Sequence, residues 1–169
     1  MAASNRDTEF SGPAMKQYYF AYGADMDPED LELRCDMRRR QRVRFARSYK
    51  AVLEGFRLVC NLHSTYRRGG IFNLAVDPKG IVHGVAYELH PGDTISSMMI
   101  KEGESKNFLL SVMSVRVGRS VIPALVLRAE PTGKMLRPDP TYLKIVIEAA
   151  RRHRLPQEWI SSLKAMSAA

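Results

Sequence analysis

Cysteine is scarce in this chain of 169 residues, which contains only Cys35 and Cys60 and no C-x-x-C pair. A disulfide framework or a cysteine-based zinc site therefore has no support in the sequence. Long hydrophobic runs are also missing, since no window approaches the roughly 18 apolar residues that a membrane-spanning helix needs. These features predict a cytoplasmic protein that has no membrane partner.

The common catalytic motifs are missing as well. There is no Walker phosphate loop, no dinucleotide-binding glycine fingerprint and no G-x-S-x-G elbow. The four histidines are scattered rather than spaced as metal ligands, so we expect neither a metal nor a cofactor. Cys60 and His63 do not suggest a nucleophile and base, because residues three apart on a strand point to opposite faces.

The charge is unbalanced, with 26 Lys and Arg against 18 Asp and Glu, a net charge of +8. Such an excess invites a nucleic-acid interpretation, because Lys and Arg neutralise phosphates. Most of the excess lies in residues 34–47 and 151–154, and neither run is interleaved with aromatic side chains that stack on bases. We therefore predict a solvated basic face and no specific nucleic-acid partner.

The length and composition fit one folded domain. Hydrophobic residues make up 45% of the chain and charged residues 26%, as in an ordinary globular protein. The first thirteen residues are small and polar, with no hydrophobic core of a signal peptide. We expect residues 1–15 to be a disordered leader and residues 16–169 to be a single domain.

Local patterns predict a mixture of strands and helices. A strand from Tyr18 to Tyr22 stops at Gly23, and Asp27 caps a helix that begins at Pro28. Further elements are a strand from Gly55 to His63, a hairpin that turns at Asp77-Pro78-Lys79-Gly80 between 71–76 and 81–89, a short helix over 91–100, a second hairpin that turns near Gly118 between 109–117 and 121–129, and two final helices separated at Pro156.

About six or seven strands and three or four helices are predicted in all. Their order along the chain lacks the regular strand–helix alternation of a doubly wound sheet. The predicted fold class is therefore α+β, with a curled mixed β-sheet or a small closed β-barrel flanked by three or four helices.

One junction in this plan suggests chemistry. In Tyr19-Phe20-Ala21-Tyr22-Gly23-Ala24-Asp25-Met26 a strand ends in a glycine loop directly before a helix. Unpaired backbone N–H groups at such a junction can bind a carboxylate or stabilise an oxyanion. We call residues Tyr22–Asp25 the corner and expect it to bind an anionic group.

Tyr19 to Met26 resembles the Y-F-A-Y-G-S-N-M/L signature of the γ-glutamylcyclotransferases. Similar landmarks follow in that family's order, namely Gly69-Gly70-Ile71, His83-Gly84-Val85-Ala86-Tyr87-Glu88-Leu89, Glu102-Gly103, Pro140-Thr141-Tyr142-Leu143 and Leu155-Pro156-Gln157-Glu158-Trp159. The resemblance covers nearly the whole chain from Tyr18 to Leu163. It implies a mixed barrel-like α+β fold and an enzyme that converts a γ-glutamyl amino acid or amine to 5-oxoproline and the free amine.

The resemblance also implies the site. Glu102 is the expected general acid/base, whereas Glu104 lacks the following glycine and is placed on the surface. No metal or cofactor is implied, the partner is a small γ-glutamyl substrate, and a homodimer is possible. The expected substrate-binding residues are Tyr19, Tyr22, Gly23, Ala24, Asp25, Gly70 and Tyr142.

The chain departs from the family pattern at three positions. Ala24 and Asp25 replace a serine and an asparagine, and Leu125 replaces a tyrosine that some members carry. We expect Asp25 to point away from the substrate or to be neutralised by an arginine. The alternative function is a non-catalytic ligand-binding or nucleic-acid-binding protein that keeps the fold.

Overall fold

The computed structural model describes residues 15–37, 45–90, 108–130 and 133–168. The predicted leader, apart from Met15, lies outside the described residues. So do the predicted helix over residues 91–100, Glu102 and Glu104, and most of the first basic run.

A closed β-barrel forms the body of the described structure. Its strands are β1 (Tyr18–Ala21), β2 (Phe45–Ser64), β3 (Gly69–Leu89), β4 (Phe108–Val117) and β5 (Ser120–Ala129). Their order around the barrel is β1-β3-β2-β4-β5, and β1 closes it by pairing parallel with β5, whereas the other neighbours are antiparallel. The predicted α+β class and small closed mixed barrel are confirmed.

The shortest strand, β1, lies at the centre of the hydrophobic core. Tyr19, Phe20 and Ala21 are all buried, and β3 and β5 flank them on either side. β3 approaches β1 closely, because a Cβ on Gly84 would lie 2.3 Å from the carbonyl oxygen of Ala21. This packing fixes the direction in which the chain leaves β1 and enters the corner.

The first predicted hairpin is wrong. β3 runs without reversal from Gly69 to Leu89, and both of its halves pair with β2. Val76 pairs with Phe56 and Ile81 with Glu54, so the four residues between Val76 and Ile81 lie opposite the single residue Gly55. The turn-forming residues make a bulge in a continuous strand instead of a chain reversal.

Local geometry explains why these residues fit a bulge. Gly55 has a φ of +83°, a left-handed conformation that glycine adopts without a steric penalty. The Asp77 carboxylate accepts a hydrogen bond from the Lys79 N–H at 3.1 Å, as in other turns formed by Asp. The second predicted hairpin is confirmed, with Gly118 at a φ of +58° between β4 and β5.

Three α-helices flank the barrel in the described part of the chain: α1 (Pro28–Met37), α2 (Pro140–Arg152) and α3 (Gln157–Ala165). Short 3₁₀ turns cover Ala24–Met26 and Met166–Ala168. Asp139 caps the start of α2, because its carboxylate accepts a hydrogen bond from the Tyr142 N–H at 2.8 Å. Among the described residues, no helix combines the length and apolar character needed to span a membrane.

Candidate active site

The corner is a tight turn between β1 and α1. After β1, the Met26 N–H donates to the Gly23 carbonyl at 3.1 Å and the Asp27 N–H to the Ala24 carbonyl at 3.0 Å. Asp27 then caps α1, because its carboxylate accepts from the Glu29 N–H at 3.0 Å. The predicted order of strand, glycine loop and helix start is confirmed.

The Asp25 carboxylate folds back onto the turn that carries it. It accepts a hydrogen bond from the Tyr19 hydroxyl and another, at 3.3 Å, from the Gly23 N–H. The Gly23 N–H therefore has its acceptor within the turn. Ala24 stands at the first position of the 3₁₀ turn, and its N–H donates to no acceptor within the described part of the chain. Ala24 thus offers one donor at the corner that suits an anionic group.

The two other tyrosines of the predicted site hold the corner in place. The Tyr22 hydroxyl donates to the Leu127 carbonyl on β5 at 2.6 Å. The Tyr142 hydroxyl accepts from the Phe72 N–H on β3 at 3.2 Å. It also lies 2.6 Å from the position that a Cβ on Gly23 would occupy, so Tyr142 packs directly on the corner.

Gly70 contacts a different segment. A Cβ on Gly70 would lie 2.3 Å from the Arg137 carbonyl oxygen and 2.6 Å from the Cys60 sulfur. The Gly70 carbonyl accepts from the Asp139 N–H at 2.9 Å, immediately before α2. Because Gly70 has no side chain, the segment from Arg137 to Asp139 can pass close to β3 before α2 begins. Direct contact between Gly70 and the substrate stays a prediction.

Arg67 is a charged neighbour of the site that the sequence reasoning missed. It lies in the turn between β2 and β3, with its guanidinium 2.6 Å from the Asp30 carboxylate of α1 and 5.7 Å from the centre of the Tyr142 ring. The side chains of Arg67 and Asp30 are only 9% and 7% exposed. The sequence signal that could have identified Arg67 is its position two residues before the Gly69-Gly70 landmark.

Cys60 and His63, the other reactive pair considered from the sequence, do not form a second site. Burial raises the pKa of the Cys60 thiol to about 11, which disfavours the nucleophilic thiolate. His63 is exposed while Cys60 is buried, in keeping with the opposite faces predicted for them. No group of three or more His, Cys, Asp or Glu suited to a metal occurs among the described residues.

Replacing Gly23 by alanine is expected to strain the corner by about 1 to 3 kcal/mol, the usual cost of overpacking. The added methyl would overlap the Tyr142 hydroxyl oxygen, whereas the next nearest atoms, on Tyr142 and Asp25, lie 3.7 Å away. Adding Tyr142→Phe removes the clashing atom, so the double variant should recover part of the lost stability. Urea unfolding of the single and double variants measures this coupling, and strictly additive losses would contradict it.

Asp25→Asn is expected to keep the fold and the stability of the parent, whereas Asp25→Leu should cost about 1 to 3 kcal/mol of stability. The asparagine oxygen can still accept from the Gly23 N–H, and its amide can donate to the Tyr19 hydroxyl oxygen. Urea unfolding of both variants tests this expectation. Equal damage from asparagine and leucine would show that the negative charge itself has a role.

Comparisons with known proteins agree with this architecture. No family model matches the chain, and no curated protein does. Among solved structures, one described as a gamma-glutamyl cyclotransferase aligns with a TM-score of 0.75 and 24% identity, over 89% of this chain and 88% of that one. A human protein described as uncharacterised aligns with a TM-score of 0.74 and 24% identity, over 89% and 87% of the two chains.

A third neighbour is YkqA from Bacillus subtilis, with a TM-score of 0.75 and 23% identity, over 91% of this chain and 55% of that one. These likenesses show that the chain has the γ-glutamylcyclotransferase-like fold. The resemblance found in the sequence is confirmed at that level.

Proposed function

We propose that the chain is a γ-glutamylcyclotransferase that converts a γ-glutamyl amino acid or γ-glutamyl amine to 5-oxoproline and the free amine. One observation carries the proposal: the Tyr19–Met26 segment, similar to the family signature, forms a strand-to-turn corner within the fold of that family. The fold alone does not specify a reaction, so the argument rests on the residues of the corner and on Glu102.

The reaction makes few demands on the protein. The α-amino nitrogen of the substrate attacks its own γ-amide carbonyl, the new C–N bond closes a five-membered ring, and the amide C–N bond to the leaving amine breaks. Because the nucleophile belongs to the substrate, orientation supplies much of the acceleration. The protein must supply a base that takes a proton from the ammonium and returns it to the leaving amine, and donors for the anionic groups.

We assign the proton transfers to Glu102, by resemblance to the family's E-G motif, and anion binding to the Ala24 N–H of the corner. In this assignment Tyr142 forms a wall of the substrate pocket. Tyr19 and Tyr22 act on the substrate indirectly, because their hydroxyls bond to Asp25 and to the Leu127 carbonyl. Asp25 has the same supporting role, since it holds the Gly23 N–H.

A substrate panel tests the proposed function. Purified protein is incubated with γ-glutamyl amino acids, γ-glutamyl amines and the matching α-glutamyl dipeptides, and 5-oxoproline is measured. We expect release from γ-glutamyl compounds only, because an α-linked glutamyl group leaves no γ-amide for the amine to attack. No release from any γ-glutamyl compound would favour the non-catalytic alternative.

A further inference from the structure

The carboxyl end of α2 contacts the two residues that directly follow the corner. The Met26 carbonyl oxygen lies 2.8 Å from the Nε2 atom of His153 and 2.7 Å from the hydroxyl of Tyr87. The Asp27 carboxylate lies 3.1 Å from a guanidinium nitrogen of Arg152. The contacts made by Arg152 and His153 join residues more than 120 positions apart in the chain to the start of α1.

The chemistry of these groups decides which atom donates in each hydrogen bond to the Met26 carbonyl. A carbonyl oxygen only accepts, so His153 Nε2 carries a proton and donates to Met26. Tyr87 also donates to this oxygen, and burial, together with the charges of Asp25 and Asp27, raises the pKa of its hydroxyl. The Met26 carbonyl therefore accepts two hydrogen bonds, one from β3 and one from the end of α2.

The position of His153 is itself fixed by the way α2 ends. Arg154 adopts a φ of +55°, and the Leu155 N–H donates back to the Ala150 carbonyl at 3.0 Å. This is the pattern of a helix that ends with a left-handed residue. Because Tyr142 near the start of α2 packs on Gly23, the same helix contacts the corner region at both of its ends.

We propose that His153 is a positioning residue of the corner: by donating to the Met26 carbonyl it holds the turn that presents the Ala24 N–H in its anion-binding geometry. Tyr87 and Arg152 share this task. The kinetic part of the inference rests on the proposed function, whereas the structural part does not. In this proposal His153 acts on the site only through the turn, because its ring nitrogen bonds to the Met26 carbonyl.

Three variants separate positioning from bulk stability. His153→Leu removes the donor, His153→Gln keeps an N–H that can reach the same oxygen, and His63→Leu makes the same change at an exposed histidine on β2. Amide hydrogen exchange is followed at Met26 and Asp27, whose N–H groups close the turn, and at core amides of β3. Urea unfolding and 5-oxoproline release are measured in parallel.

We expect His153→Leu to speed exchange at Met26 and Asp27 about tenfold relative to the β3 amides, the scale of one lost hydrogen bond. His153→Gln and His63→Leu should stay within about twofold of the parent at those amides. The kcat/KM for 5-oxoproline release should fall about tenfold in His153→Leu and recover in His153→Gln.

Unchanged exchange at the turn in His153→Leu, or an equal rise at every amide, overturns the proposal. Failure of His153→Gln to restore slow exchange overturns it as well. If His153→Leu does not fold, the same comparison is made with Tyr87→Phe, which removes the other donor to Met26, and with His153→Gln as the conservative change. Absence of turnover in the parent contradicts the proposed function only, because the exchange comparison still decides the positioning role.

Discussion

Glu102→Gln is expected to lower turnover by about a hundredfold or more, the usual scale for loss of a positioned general acid/base. Glutamine has nearly the shape of glutamate, but its amide does not take a proton from the substrate ammonium and return it to the leaving amine. Stability and KM should change little, because the substitution removes proton transfer and not bulk. The measurement is 5-oxoproline release under saturating and limiting substrate, together with urea unfolding.

A matched control lies two residues further along the chain. Glu104→Gln makes the same change in charge within the same segment, and we expect turnover within about twofold of the parent because Glu104 is predicted to have no part in proton transfer. Equal turnover in the parent and Glu102→Gln would remove Glu102 from the mechanism. A large loss in Glu104→Gln alone would move the acid/base role to that residue.

The fold could be predicted where local chemistry and long-range pairing agree. The strand just before Gly23, the helix beginning at Pro28 and the hairpin around Gly118 were all predicted correctly. The predicted hairpin at residues 77–80 was wrong, because turn residues specify a local bend but not the direction of the chain after it. That direction is set by β2, whose 20 residues pair with both halves of β3.

The candidate site was predictable as a motif and less so as a set of contacts. The position of the corner follows from Tyr22 and Gly23, but the hydrogen bond from Gly23 to Asp25 depends on side-chain rotation within a turn. Arg67 and His153 come from a distant turn and a distant helix end, so the sequence does not pair them with the corner, although Arg67 stands beside the Gly69-Gly70 landmark. The closed barrel brings them to it.

Arg67→Met is expected to lower the free energy of unfolding by about 3 kcal/mol, at the lower end of the cost of breaking a buried ion pair. The Asp30 carboxylate is buried and loses a guanidinium nitrogen at 2.6 Å, whereas methionine keeps much of the volume of the arginine stem. The substitution also removes the cation that packs near the Tyr142 ring, so the loss should extend to the wall of the proposed pocket. Urea unfolding measures the loss of stability.

The chain provides a matched exposed pair for comparison. Arg116 and Glu54 lie 3.1 Å apart with side chains 45% and 64% exposed, so Arg116→Met should cost about 1 kcal/mol or less. In the double variant Arg67→Met and Asp30→Leu, the buried charge is removed together with its partner, and we expect most of the lost stability to return. Equal losses in Arg67→Met and Arg116→Met would show that burial does not strengthen the Arg67–Asp30 pair.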